Sequence, residues 1–164
     1  MTSTRILTRR AGRLIAAVVL VAVVAAACGV AVVAKHVLAG SAVLAARADL
    51  RDQAATIVRT VFTVHADRWR AERRHARTLV GGDFAATYGA DLDSAPQPPI
   101  ISIDWRPEVA GVVDATATSG EVLLRASVVT ARTGRAPSTE QRDLLAFFDR
   151  VEGRWLLTGT EVIG

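Results

Sequence analysis

The densest set of side chains able to do chemistry lies between Asp67 and Arg77: five arginines, Asp67, Glu72, His75 and Trp69, with His65 just upstream. A helical zinc site needs histidines at i and i+3 or i+4, so that both imidazoles face one ion. His65 and His75 are too far apart in sequence for that, about 15 Å on a continuous helix. They read as surface or boundary histidines, and no metal or cofactor is expected. As a nucleic-acid motif, the arginines and Trp69 would track a backbone and stack on a base. As a solvated helix face, Glu72 would instead pair with Arg68 or Arg73. A third reading sets the arginines against anionic headgroups. Arg68, Arg70, Arg73, Arg74 and Arg77 are therefore the candidate contact surface, facing lipid headgroups or an acidic partner.

Other catalytic constellations find little support. A carboxylate base could be built from Asp104, Asp114 or Asp149 with Tyr88, but acids on alternating strands more often face solvent. There is no G-x-S-x-G elbow, no Gly-rich phosphate loop after a strand, and the single Cys28 lies in an apolar run. The sequence is read as that of a non-enzymatic protein. Trp155 opens the last expected strand and is expected to be a core anchor. Trp105, followed by Arg106-Pro107, is expected near a sheet edge or pocket rim.

These residues must be positioned by elements that begin with a membrane segment. Leu14 to Ala34 is uncharged and proline-free, and only Cys28 and Gly29 depart from Ala, Val, Leu and Ile. At 1.5 Å per residue such a run spans a hydrocarbon core of about 30 Å. Arg5, Arg9, Arg10 and Arg13 precede it with no acid among them, which places the N-terminus inside and the rest outside. Three rivals are weighed against an uncleaved anchor, and the first, a buried core helix, would not normally have this length with basic residues packed against its start. A signal peptide cut after Ala27 would need the apolar run to stop there, yet it continues through Val33. A lipoprotein acylated at Cys28 would carry Leu where Ala25 stands, followed by a polar tether. The uncleaved anchor is preferred.

Charge divides along the same line. Residues 1–40 carry five basic residues and no acid, whereas residues 41–164 carry fifteen arginines against sixteen Asp and Glu. The exported part has no positive field to gather nucleic acid, so that partner class is rejected. With one cysteine no intramolecular disulfide forms, and the roughly 120 residues after the anchor suffice for one domain held by its own core.

Four regions are expected: a cytoplasmic basic terminus over 1–13, the membrane helix over 14–34, a helical stalk over 35–65, and an α+β domain over 66–164. In the stalk, Leu50, Ala54, Ile57, Val58, Val61 and Phe62 recur at three and four. A second helix covers about 66–80, with Trp69, Ala76 and Val80 on its apolar side and Gly81-Gly82 ending it. Asp83 is expected to cap a short turn from Phe84 to Tyr88. Ser94 to Pro99 is irregular. Strands follow at 100–105, 108–118 and 121–132, with Ser119-Gly120 as a two-residue turn. After a polar loop over 133–141, strands 143–151 and 154–163 pair across Glu152-Gly153. Helices first and an antiparallel sheet after is an α+β pattern.

Two pieces, Gly82-Asp83-Phe84-Ala85-Ala86-Thr87-Tyr88 after a helix and the closing Arg150-Val151-Glu152-Gly153-Arg154-Trp155-Leu156-Leu157, sit behind a basic terminus, a membrane helix and a stalk. In this order the chain resembles the Mce-associated membrane proteins, small partners of the mammalian-cell-entry lipid importers of actinobacteria. The resemblance implies an NTF2-like cone of helices on a curved antiparallel sheet. It further implies an accessory role in assembling or stabilising a lipid or sterol import complex, with importer subunits as partners and no catalytic residues. Type IV secretion VirB8 proteins share the plan, so a secretion scaffold is the second reading. A small-molecule-binding or isomerase-like enzyme using the cone's cavity is the third. The expected location is the cell membrane, with the domain extracytoplasmic.

Overall fold

The computed structural model describes residues 40–163, so the apolar run, its arginine flank and Cys28 lie outside the described residues. Among the described residues no helix is long and apolar enough to cross a membrane. A compact unit is bounded at Ala42.

Residues 40–62 form helix α1. Ala46, Leu50, Ala54, Ile57, Val58 and Val61, three or four apart, make one stripe that is at most 4% exposed. The segment expected as a stalk is thus the central core helix of the domain. The boundary drawn at 66 moves back to 42, because a stripe this apolar is stable only when covered.

After α1 the chain forms strand β1 (Val64–His65), helices α2 (Trp69–Arg77) and α3 (Gly82–Tyr88), and a 3-10 turn at Asp91–Asp93. Four long strands follow: β2 (Ile100–Ala115), β3 (Ser119–Arg132), β4 (Ser138–Val151) and β5 (Arg154–Val162). They pair antiparallel in chain order, β1-β2-β3-β4-β5. The short connections between them favour such a meander. One sheet face carries Val122, Leu124, Ala126, Leu144, Ala146, Phe148, Trp155 and Leu157, all buried. Together with α1, α2 and α3 this face makes the core.

Several turns differ from the sequence expectation. The two strands expected either side of Arg106-Pro107 are one strand, β2, which absorbs Pro107 at a register shift between Pro107 and Val109. The β2–β3 turn is Thr116-Ala117-Thr118, not Ser119-Gly120. Thr116 Oγ1 accepts the N–H groups of Thr118 and Ser119 and closes it. Gly120 instead pairs with Ala115 inside the ladder, where a Cβ would collide with Leu50 Cδ2 and meet the Asp114 carbonyl at 3.2 Å. At the other hairpin, Glu152 (φ 51) and Gly153 (φ 80) both adopt left-handed backbone, the geometry of a type I′ turn.

Gly81-Gly82 does not merely end a helix. The Leu79–Gly81 segment lies along β5: Leu157 N–H donates to the Leu79 carbonyl at 2.8 Å, and Gly81 N–H to the Leu157 carbonyl at 2.9 Å. A Cβ on Gly81 would meet Leu156 Cδ1 at 3.2 Å, so the missing side chain permits this approach. The backbone of Gly81 is the N-cap of α3, and Asp83 stands in its first turn rather than capping it.

Candidate functional site

The five candidate arginines on or beside α2 are held in different ways. Arg68 Nε donates to Glu72 Oε1 at 2.7 Å, which leaves its charge locally neutralised. Arg77 forms a two-pronged pair with Asp93, through Nε at 3.0 Å and through Nη2, and Nη2 also donates to the Gly89 carbonyl at 2.9 Å. Arg77 thereby ties α2 to the turn that follows α3. Arg73 points inward: Nη1 donates to the Val61 carbonyl at 3.1 Å, and its buried Nε has no partner among the described residues. Burial pushes the Arg73 guanidinium below its ordinary pKa. Arg70 lies over the Trp69 ring at 4.7 Å, and Arg74 is exposed.

His65 and His75 are separated as expected, though by different means. The helix begins only at Trp69, so His65 is on β1. Its Nδ1 is 2.9 Å from Glu72 Oε1, and its backbone N–H donates to Glu72 Oε2 at 2.7 Å. His75 is exposed. Burial alone would raise the Glu72 carboxyl, but the bonds from Arg68 and His65 together hold it below the usual carboxylate value. Glu72 is therefore a clasp between β1 and α2. Among the described residues no group of three or more His, Cys, Asp or Glu is arranged to hold a metal.

The carboxylates considered for catalysis do not converge. Asp104 pairs with Arg106 at 2.8 Å, while Asp114 and Asp149 are exposed on separate strands. Tyr88 is 46% exposed and packs on Phe84, at the end of a row in which Phe84 meets Phe62 edge-on and Phe62 stacks on Trp105. Trp105, expected near a rim, thus joins this row beside the core. Trp155 and Phe148 are each 1% exposed and belong to the core. The Trp155 indole N–H donates to Asp49 Oδ2 at 3.2 Å, and the same oxygen accepts from Arg150 Nη2 at 3.1 Å. The buried ring thereby satisfies its polar atom at the edge of α1. Among the described residues no polar or charged residue is fully buried.

One open groove, about 420 Å³, runs between α1 and β2 and is lined by Leu44, Arg47, Ala48, Arg51, Ala110, Gly111 and Val112. Arg47 Nη2 crosses it to donate to the Val112 carbonyl at 2.8 Å. A second groove, about 500 Å³ and mainly apolar, lies on the outer sheet face and shares Gly111 and Val112 with the first. Sequence reasoning passed over Arg47 and Arg51. Their i, i+4 spacing beside Leu44, outside the apolar stripe of α1, was the available signal.

No family model matches the chain, and no curated protein matches it by sequence. Solved structures do. An IcmL-like type IV secretion system protein from Legionella pneumophila superposes with a TM-score of 0.57 at 11% identity, over 72% of this chain and 94% of that one. VirB8 from Agrobacterium tumefaciens gives 0.48 at 12%, over 66% and 86%. The intermembrane space region of the chloroplast protein ARC6 gives 0.44 at 13%, over 70% and 96%. The curled antiparallel sheet with helices on one face is thus an α+β fold shared with the IcmL-like protein, and the likeness is one of fold.

Proposed function

We propose that the chain is a non-enzymatic accessory subunit of an Mce-type lipid importer. In this reading Leu14–Ala34 anchors it, its N-terminus is cytoplasmic, and its domain helps assemble or stabilise the complex outside. The observation that carries the reading is the wholly apolar core of the described residues. Trp155, Phe148, Leu50 and Leu124 are each at most 1% exposed and belong to one apolar core. The alternative of a small-molecule-binding or isomerase-like enzyme needs ionisable groups around a cavity, and Asp104, Asp114 and Asp149 do not converge. In this reading the anchored domain works through its outer surfaces, and the transport path belongs to its partners.

A VirB8-like secretion scaffold is the second reading, favoured by the likeness in fold to the IcmL-like secretion protein. Affinity purification of the tagged chain from mildly solubilised membranes of its own host separates the two. Importer permease and lipid-binding subunits are expected to co-purify. Secretion-channel subunits in their place would establish the second reading, and recovery of the chain alone would defeat both. Phosphatase fusions at the two termini test the orientation, with activity expected only at the C-terminal end.

A further inference from the structure

Three of the four most exposed large hydrophobic residues described, Leu44 (70% exposed), Val109 (64%) and Val113 (56%), border two grooves that adjoin at one junction. Leu44 borders the groove between α1 and β2, and the two valines border the apolar groove beyond it. Gly111 and Val112 form the rim common to both. Arg47 and Arg51 stand on the α1 side. Arg51 has no hydrogen-bond or ion-pair partner among the described residues, and Arg47 gives one nitrogen to the Val112 carbonyl. Apolar side chains beside arginines with donors to spare are interfacial chemistry: the former enter the headgroup–acyl boundary and the latter meet phosphates. The carboxylate that lines these grooves is Asp143, and its charge is met by Arg125 at 2.7 Å. Glu108 accepts from Gln141 on β4.

We infer that this junction is a docking surface for the anionic phospholipid bilayer, with Leu44, Val109 and Val113 as the apolar contacts and Arg47 and Arg51 as the phosphate ligands. The inference rests on the anchored reading above, because the tether selects the occupant. Leu44 follows Ala34 by only ten residues in the sequence, which even fully extended reach about 36 Å. An anchored chain therefore keeps Leu44 within one domain's breadth of the bilayer. The α2 arginines lack this combination, since Arg68, Arg73 and Arg77 are already engaged within the domain.

The test is hydrogen exchange on the full chain in nanodiscs of phosphatidylcholine alone and of phosphatidylcholine with phosphatidylglycerol at about 3:1. β1 covers the outer edge of β2 only at Ser102 and Ile103, so amides over 106–114 report on what meets that edge. These amides should exchange more slowly in the anionic discs. Each arginine near an anionic surface raises occupancy about five-fold, so Arg47→Glu with Arg51→Glu should return the rates to the neutral-disc values. β3–β4 exchange should stay unchanged in that variant, reporting an intact fold, and Arg70→Glu with Arg74→Glu should leave the slowing in place. Equal rates in the two discs, or slowing that survives the Arg47 and Arg51 reversal, overturn the inference. So does slowing that appears only on adding the co-purified partners, which would assign the surface to protein. A chain washed from the discs at alkaline pH overturns the anchored reading as well, whereas a retained chain without slowing overturns only the docking surface.

Discussion

Helices α1 and α2 both carry many arginines, yet they are held in opposite ways. α1 buries an apolar stripe and leaves its charges outside it. α2 buries only Ala76 and is fixed by its charges, through Glu72 to β1, Arg73 to the end of α1, and Arg77 to the turn beyond α3. The free-energy scales differ accordingly. Burying the leucine, isoleucine and valines of this stripe contributes about 1.5–3 kcal/mol per large side chain, whereas a partly exposed charged hydrogen bond contributes roughly 1 kcal/mol. The α1 face of the molecule should therefore yield only to core substitutions. The α2 corner should loosen stepwise.

The largest effect is expected at Trp155, where the sheet meets α1. Trp155→Ala should lower stability by about 3–5 kcal/mol, read by chemical denaturation of the detergent-solubilised chain. A loss below about 1 kcal/mol would mean that α1 is not the element holding the sheet.

Next comes the contact between Leu50 and Gly120. Leu50→Ala should cost about 2–5 kcal/mol by leaving a cavity. Gly120→Ala should cost about 1–3 kcal/mol by overpacking, since the new methyl group runs into Leu50 Cδ2. Together they should cost less than the sum, because removing Leu50 clears room for the methyl group. A coupling of roughly 0.5–3 kcal/mol is expected. Strict additivity would show that α1 does not lie against Gly120.

The same contrast explains what the sequence made legible. Periodicity exposed the α1 stripe residue by residue, and the alternation of β3 and β4 exposed the inner sheet face, since burial of apolar groups repeats with the element. Whether α1 stands apart from the domain or inside it was not legible. A stripe of this kind reads the same wherever its cover comes from, and here the cover is the sheet up to a hundred residues later. The β2–β3 turn was misplaced because Gly120 serves a tertiary contact that imitates a turn signal. The arginine cluster gave the most misleading impression. Its composition is that of a patch, but the partners that divide it, Val61, Gly89 and Asp93, lie outside the 67–77 window. The groove with Arg47 and Arg51 was hidden for a related reason, as half of it comes from β2.

Within α2, charge reversal should sort the arginines. Arg73→Glu puts a carboxylate against the Val61 carbonyl and should cost about 1–3 kcal/mol. Arg70→Glu and Arg74→Glu should each stay within about 0.5 kcal/mol. Equal effects at Arg73 and Arg74 in thermal melts would restore the view of α2 as one uniform solvated face.

The smallest effect is also the one with a defined pH dependence. Glu72 titrates below its ordinary value of 4.5 in the folded chain, so the folded state binds this proton less readily than the unfolded state. Its contribution is complete above the unfolded value and disappears as pH falls from there through the folded value. A neutral glutamine side chain in its place cannot make the charged bonds to Arg68 and His65 at any pH. Glu72→Gln should thus lower stability by about 1 kcal/mol near neutrality and by progressively less from about pH 5 down to pH 3. Asp143, held low by the Arg125 bond, shifts in the same direction but is unaltered by the substitution, so it cancels in the comparison. The difference between wild-type and Glu72→Gln melting temperatures should close on acidification. A difference that stays constant across that range would mean that the clasp holds β1 to α2 by shape, with the charge contributing nothing.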